Sequence, residues 1–150
     1  MNQAIIYAKK ALVLGEVPVG AVIVYDGKII AAAHNMREKA KNALRHAELD
    51  AIRHACNRLG GWRLHQCTLY VTLEPCPMCA GAVVNARLKR VVYGAKDSRA
   101  GAFGTVINLN NYPLNHKPEI TAGICGRECG ALLRSFFTAL RKKDGKSPDV

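Results

Sequence analysis

The Cys-Pro-Met-Cys segment at 76–79 constrains the fold of this chain more than any other part of it. Cys76 and Cys79 lie three residues apart, and Pro77 suits the first turn of a helix. Both sulfur atoms would then lie on one face of that turn, where the positive end of the helix dipole favours thiolates. His46 is the natural third ligand of a zinc site with one open position, the arrangement of a catalytic rather than a structural site. The sequence therefore predicts two helix N-termini that meet at a metal ion.

The segment from His46 to Glu48 supplies the remaining chemistry. Residues two apart on a regular helix point in nearly opposite directions, so both side chains can serve one site only if His46 lies at the helix start. Ala47 between them is too small to obstruct a pocket. A metal ion would acidify a bound water molecule, and Glu48 could carry its proton. A His-x-Glu segment followed by Pro-Cys-x-x-Cys is typical of zinc-dependent deaminases that act on nucleobases.

Each of these features has a simpler explanation when it stands alone. A Cys-x-x-Cys pair could be a redox pair or half of a closed structural zinc site, and His46 could be a capping or surface histidine. The combination of the two segments, in this order and with a proline on either side of Cys76, favours a catalytic zinc site.

The charge of the chain bears on its partners. The 150 residues carry a formal net charge of +11, and 49% of them are hydrophobic. Positive charge favours a polyphosphate partner over a free base, although ordinary solubility would explain it as well. The length suits a single domain over 1–150 with a buried core. Because the chain has no long apolar run and no signal-peptide pattern, we expect a cytoplasmic protein without a membrane partner.

Four further cysteines lie outside the metal motif. We expect all four to be reduced, and we expect the last two to be buried small side chains rather than a second metal site. These cysteines are Cys56, Cys67, Cys125 and Cys129.

The apolar periodicity predicts four helices and five strands. The helices are expected at 2–14, 46–59, 77–86 and 127–142. The strands are expected at 20–25, 28–34, 67–72, 90–93 and 119–124, with Asp26-Gly27 as the first hairpin turn. Segments 36–45 and 94–117 are expected to be loops, the second with a short helix near 105–109, and 141–150 is expected to be a basic, frayed tail. The hairpin implies antiparallel pairing and the strand–helix–strand unit parallel pairing, so the fold class is α/β with a mixed sheet.

Further segments of the chain stand in the order known from one family. They are Glu16–Val22, Asn35, Leu73–Ala82, Asp97 with Gly101, Asn115-His116 with Glu119–Thr121, and Glu128-Cys129 ahead of Phe136-Phe137. Together with 46–48 they resemble the bacterial tRNA-specific adenosine deaminases, from about Ala4 to Arg141. The zinc motif alone is shared with guanine, cytosine and deoxycytidylate deaminases, and 115–137 points to the tRNA branch. The resemblance implies a three-layer α/β/α cytidine deaminase-like domain with a central mixed five-stranded sheet.

The resemblance also implies an activity and a partner. The activity is hydrolytic deamination of the wobble adenosine to inosine in the anticodon loop of the arginine tRNA with anticodon ACG. His46, Cys76 and Cys79 would hold one Zn²⁺ per subunit; zinc-bound hydroxide would attack C6, while Glu48 passes a proton to N1 and then to the leaving amine. The anticodon stem-loop suits such a site because its bases are already partly unstacked. The family is homodimeric, with tRNA contacts from both subunits.

Other matched positions are expected to contact the substrate. Asn35 would hydrogen-bond the flipped base, although it could instead be a turn residue after the second strand. An apolar wall would line the ring, and its residues could equally be the plain start of a strand: Val17, Pro18 and Val19. Ala47 is matched as a substrate contact, and the RNA-facing positions are Lys96, Asp97, Asn115, His116, Phe137 and Arg141. Each of these could be an ordinary surface or core residue.

Two departures and two alternative functions remain open at this point. Pro118 falls where a strand-compatible residue is expected, and the 102–105 turn is bulkier than the family's, so either could alter the RNA-facing loop. One alternative is a small-molecule deaminase, such as a guanine deaminase, with the same zinc chemistry. The other is a zinc-stabilised RNA-binding module without catalysis, which would leave Glu48 without a role.

Overall fold

The computed structural model describes residues 1–143 and 145, and these residues form four α-helices and five strands. The helices are α1 (Asn2–Val13), α2 (Ala47–Leu59), α3 (Pro77–Asn85) and α4 (Gly126–Lys143). The strands are β1 (Gly20–Tyr25), β2 (Lys28–His34), β3 (Thr68–Leu73), β4 (Arg90–Ala95) and β5 (Glu119–Thr121). The predicted element order and α/β class are confirmed.

The five strands form one mixed sheet in the order β2-β1-β3-β4-β5. Strand β1 pairs antiparallel with both β2 and β3, whereas β3, β4 and β5 run parallel to one another. Asp26 and Gly27 join β1 to β2 with φ angles of 48° and 70°, the left-handed pair that a tight hairpin turn requires. The predicted hairpin and the parallel strand–helix–strand unit are therefore both present.

Helices cover both faces of this sheet. Helices α1 and α4 pack on one face, and α2 and α3 pack on the other. The central strands are buried on both sides because each face is covered by a helical layer: Leu69 and its neighbour Val91 have no exposed surface on one face, and Val22 and Val92 are 2% exposed on the other. Burying each such side chain stabilises the fold by about 1.5–3 kcal/mol. None of the helices formed by the described residues is both long and apolar enough to cross a membrane.

Several elements meet at one edge of the sheet. Because β3 and β4 are parallel, both end at this edge, and antiparallel β1 begins there. The Gly20 backbone N–H donates to Thr72 Oγ1 at 3.1 Å, which ties the start of β1 to the end of β3. A Cβ atom at Gly20 would overlap the backbone of Ala4 and Ala8, so α1 approaches this point as closely as glycine allows. Helices α2 and α3 begin at the same edge and position the functional side chains.

The structure corrects the predicted elements in three places. The short helix expected near 105–109 is instead a 3₁₀ turn at Leu109–Asn111, because the Asn108 side chain caps it by accepting from Asn110 N. Strand β5 ends at Thr121 rather than 124, and it begins directly after Pro118, which has no N–H to contribute to a ladder. Helix α4 includes 141–143; the rest of the predicted tail lies outside the described residues, apart from residue 145. The other boundaries agree with the prediction to within two residues.

The cysteines outside the metal motif divide by burial. All six cysteines of the chain are free thiols. Cys129 is buried, and its Sγ packs so closely on Gly94 that a Cβ there would overlap it. Cys125 was expected to be buried and is exposed, because it lies in the turn before α4 with a φ of 55°.

Candidate metal centre and substrate pocket

His46 is the N-cap residue of α2. Its backbone is extended, with φ −82° and ψ 150°, and the helix begins at the next residue. Because an N-cap residue lies outside the regular helix, the helical repeat does not fix the direction of its side chain, and His46 can face the same site as Glu48 in the first turn. The requirement that His46 stand at the helix start is therefore met, and Glu48 lies buried beside it at 4% exposure.

Cys76 occupies the corresponding position of α3. It is the N-cap residue, with φ −71° and ψ 171°, and Pro77 follows at the first helical position. The Cys76 and Cys79 sulfur atoms lie 3.7 and 3.6 Å from His46 Nδ1. Tetrahedral zinc with ordinary Zn–N and Zn–S bonds places nitrogen and sulfur ligands about 3.6 Å apart. These three side chains, whose ligand atoms lie within 4.8 Å of one another, therefore have the spacing of a tetrahedral metal site that lacks its fourth ligand.

The electrostatics of the centre follow from this crowding. A hydrogen bond from Cys79, assisted by one from His46, lowers the pKa of Cys76 to about 4 against the opposing effect of burial. The hydrogen bond with Cys76 raises the pKa of Cys79 and also raises the pKa of His46. Burial raises the pKa of Glu48 to about 7. The close contact of the two sulfur atoms with each other and with His46 therefore favours a thiolate in this pair, which is the form of cysteine that binds metals.

A pocket opens above the candidate metal centre at the same edge of the sheet. Its lining brings together the predicted ligands His46 and Cys76, the predicted proton carrier, and most of the predicted base contacts. The lining residues are Val17, Val19, Asn35, Arg37, His46, Ala47, Glu48, Leu73, Glu74, Cys76 and Asp97. Cys79 lies fully buried behind them.

Six of the predicted contact residues do not line this pocket. Pro18 is buried between two residues that do, and Asn115 is exposed. Lys96 lines a separate groove between β4 and α4. His116 Nε2 donates to the Leu88 carbonyl at 2.6 Å, before the start of β4 and so near the opposite edge of the sheet. Phe137 and Arg141 are exposed on α4.

Two buried glutamates at the pocket were missed from the sequence. Glu74 is 1% exposed, and its carboxylate accepts from the backbone N–H groups of Asp97, Phe103 and Thr105 at 3.1–3.2 Å and from the Thr105 hydroxyl. Glu16 is fully buried, and its carboxylate accepts from the backbone N–H groups of Glu38 and Lys39 in the loop on the other side of the pocket. The available signal was an acidic residue directly next to an apolar one, since Val17 follows Glu16 and Leu73, the last residue of β3, precedes Glu74.

Comparisons with known proteins agree with this geometry. Residues 1–141 match the MafB19-like deaminase family. The chain is 54% identical over 144 residues to the tRNA-specific adenosine deaminase of Bacillus subtilis, covering 95% of this chain and 89% of that protein. A solved structure from studies of A-to-I editing by tRNA:A34 deaminases at the wobble position of transfer RNA has a TM-score of 0.86 and 40% identity, over 89% of this chain and 97% of that one. The guanine deaminase of Bacillus subtilis has a TM-score of 0.60 and 35% identity, over 76% and 83% of the two chains. The cytidine deaminase-like fold expected from the sequence is confirmed.

Proposed function

Because this chain belongs to the MafB19-like deaminase family and to the bacterial tRNA-specific adenosine deaminases, we propose that it converts the wobble adenosine of the arginine tRNA with anticodon ACG to inosine. It is a hydrolase that acts on C–N bonds. One observation carries the proposal: a buried Glu48 stands beside a His46/Cys76/Cys79 triangle that faces an open pocket. This arrangement gives Glu48 a role that a purely RNA-binding module would not need.

The triangle of His46, Cys76 and Cys79 would hold one zinc ion per chain. Zinc would supply an acidified water molecule at the fourth ligand position. The residues support this assignment by their spacing and by the mixture of one imidazole and two thiols, which is a common zinc donor set.

Glu48 would carry the protons of the reaction. Its carboxylate would accept a proton from the attacking water and deliver it to N1 of the adenine as the new C6–O bond forms. It would then accept the proton of the new C6 hydroxyl and pass it to the amino group, so that the C6–N6 bond breaks, the C6 carbonyl of inosine forms and ammonia leaves. The burial of Glu48 in the first turn of α2 keeps bulk water from competing for these protons.

The walls and rim of the pocket suit a base extruded from an RNA loop. Val17, Val19 and Leu73 would contact the ring, and Asn35, 7% exposed, would bind the edge of the base. Two loops form the rim of the pocket, one after β2 and one after β4, and both carry exposed cationic side chains: Arg37, Lys39, Lys96 and Arg99. With a net charge of +11, this surface favours a phosphate backbone over a free purine.

Two further properties belong to the proposal. We expect a homodimer, in which the predicted contacts outside the pocket, such as His116 and Phe137, would meet RNA bound mainly by the other subunit. We also expect the protein to work in the cytoplasm, where its substrate is found. Light scattering after size exclusion would measure the first property, and a mass of one chain, 16.3 kDa, would contradict it.

Guanine deamination is the second candidate, because a guanine deaminase shares the fold at 35% identity. The deciding experiment incubates zinc-loaded protein with the anticodon stem-loop of the ACG arginine tRNA and, separately, with free guanine. We expect inosine in the RNA, loss of it in Glu48→Gln, and no loss in Glu128→Gln, which changes an exposed glutamate on α4. Release of ammonia from guanine, without inosine in the RNA, would refute the tRNA proposal and assign the protein guanine deamination instead.

A further inference from the structure

Glu16 is a fully buried carboxylate that the proposed chemistry does not use. It lies just before β1 and accepts three N–H groups: from Lys39 N at 2.7 Å, from Glu38 N at 3.2 Å and from Asn35 Nδ2 at 3.4 Å. A carboxylate is an acceptor only, so it suits a position that three donors surround. Glu16 therefore joins the loop after β2 to the side chain that is expected to bind the base.

The contacts of Asn35 fix which way its amide group points. Glu16 can only accept, so the NH₂ group of Asn35 must face it, and the Arg37 backbone N–H can only donate, so Oδ1 must face that group at 3.3 Å. The two partners thus require the same orientation independently. One N–H and one lone pair of the amide remain for the pocket that Asn35 lines.

This orientation matters for an adenine base. C6, the reacting atom, lies between N1 and the N7 edge; Glu48 is assigned to N1, which leaves the N7 edge for the opposite wall. N7 is an acceptor, and an asparagine amide pairs with an adenine edge through one donor and one acceptor. A reversed amide would place Oδ1 against the lone pair of N7, and the two acceptors would repel each other.

We propose that Glu16 is a positioning residue for substrate recognition: it holds the Asn35 amide so that the free N–H donates to N7 of the target adenine. Glu16 acts through Asn35 and does not touch the substrate. The inference rests on the proposed adenosine deamination and adds to it the group that sets how the base is read.

The test compares two stem-loop substrates, one with adenosine and one with 7-deazaadenosine at the wobble position, by kcat/KM. The N7 penalty is the factor by which kcat/KM falls when adenosine is replaced by 7-deazaadenosine. We expect this penalty to be about tenfold larger for the wild-type protein than for Asn35→Ala, as one lost hydrogen bond implies. The intrinsic electronic effect of removing N7 is the same in every variant and cancels in this comparison. In Glu16→Gln, only the 3.3 Å contact with Arg37 N still favours this orientation of Asn35, and a glutamine amide can face it with either group. The N7 penalty should therefore fall towards that of Asn35→Ala.

Glu74→Gln is the matched control. Glu74 is as deeply buried as Glu16 and also accepts backbone N–H groups of a rim loop, but that loop lies across the pocket and its contacts do not include Asn35. A merely structural effect would lower kcat/KM for both substrates by the same factor. We therefore expect Glu74→Gln to lose activity and keep the full wild-type penalty for N7 removal.

The outcomes separate this inference from the proposed function. A wild-type protein that leaves adenosine in the stem-loop unchanged refutes both. An active wild type with no greater N7 penalty than Asn35→Ala, or a folded, zinc-loaded Glu16→Gln with the full penalty, overturns the role of Glu16 alone. If Glu16→Gln does not fold, Glu16→Asp takes its place: it keeps a carboxylate for the 2.7 Å bond to Lys39 N but is a methylene too short to retain the 3.4 Å bond to Asn35. The same reduced penalty is expected, and a full penalty overturns the proposal.

Discussion

Replacing Glu74 by glutamine should destabilise the protein by a calculable amount. In the wild type, one carboxylate oxygen accepts from the N–H groups of Phe103 and Thr105, and the other accepts from Asp97 N and the Thr105 hydroxyl. The glutamine NH₂ group will take the second position, because the Thr105 hydroxyl can reverse its role and accept. The Asp97 N–H then loses its partner. Leaving this partly buried donor unsatisfied costs about 1 kcal/mol or more, and the remaining bonds lose the strengthening that a charged acceptor provides.

We therefore expect Glu74→Gln to lower the free energy of unfolding by about 2 kcal/mol and Tm by about 4–8 °C for a chain of this size. Thermal unfolding followed by circular dichroism measures the loss. Hydrogen exchange read by mass spectrometry should show faster exchange in the 97–105 loop, whose N–H groups Glu74 holds. Glu38→Gln is the control: Glu38 is exposed and, among the described residues, its side chain pairs with exposed Arg37 alone, so Tm should change little. A Tm within 1 °C of wild type together with unchanged exchange in that loop would refute this account of Glu74.

Three further predictions concern the packing, the metal centre and the charge of the rim. Gly20→Ala should lower the free energy of unfolding by about 3 kcal/mol or more, since its Cβ would overlap the backbone of α1. In the control Gly61→Ala, the new Cβ meets no atom within 4 Å, so the change should be near neutral. Equal Tm values for the two variants would contradict the packing described. Cys79→Ser should lose most of its zinc by elemental analysis of purified protein, whereas exposed Cys125→Ser should retain it, and a zinc-loaded Cys79→Ser would exclude Cys79 as a ligand. Lys96→Ala should weaken binding of the stem-loop and reduce the slope of log K against log salt by about 0.7–0.9, and an unchanged slope would remove Lys96 from the RNA surface.

Sequence patterns predicted correctly those features whose conformation depends on residues close by in the chain. The Asp26-Gly27 turn and the proline at the start of α3 both act within a few residues of themselves, and the structure has both. The N-cap position of His46 followed from geometry, since only there can it share a site with Glu48. These features predicted which residues the structure brings together at the candidate metal centre. That these residues hold zinc stays a prediction.

The features that the sequence did not reveal depend on distant partners. Glu74 accepts from residues 23–31 positions away and Glu16 from residues 19–23 positions away, so their roles arise only when loops from elsewhere fold over them. The early end of β5 and the exposure of Cys125 likewise depend on how the chain turns into α4. The predicted RNA contacts of Asn115, His116, Phe137 and Arg141 stay predictions, because they concern an RNA that the fold alone does not position.

The proposed metal ligands come from both sides of β3 along the chain, and His46 is 30 residues before Cys76. Neither helix can present its ligands correctly until β3 has paired with β1, because that pairing brings the N-termini of α2 and α3 to one edge. A metal ion held there would therefore bind a completed fold and not a partly folded chain. Metal uptake during synthesis would then report that the sheet and both helices have assembled, and a misfolded molecule would remain without metal and without activity.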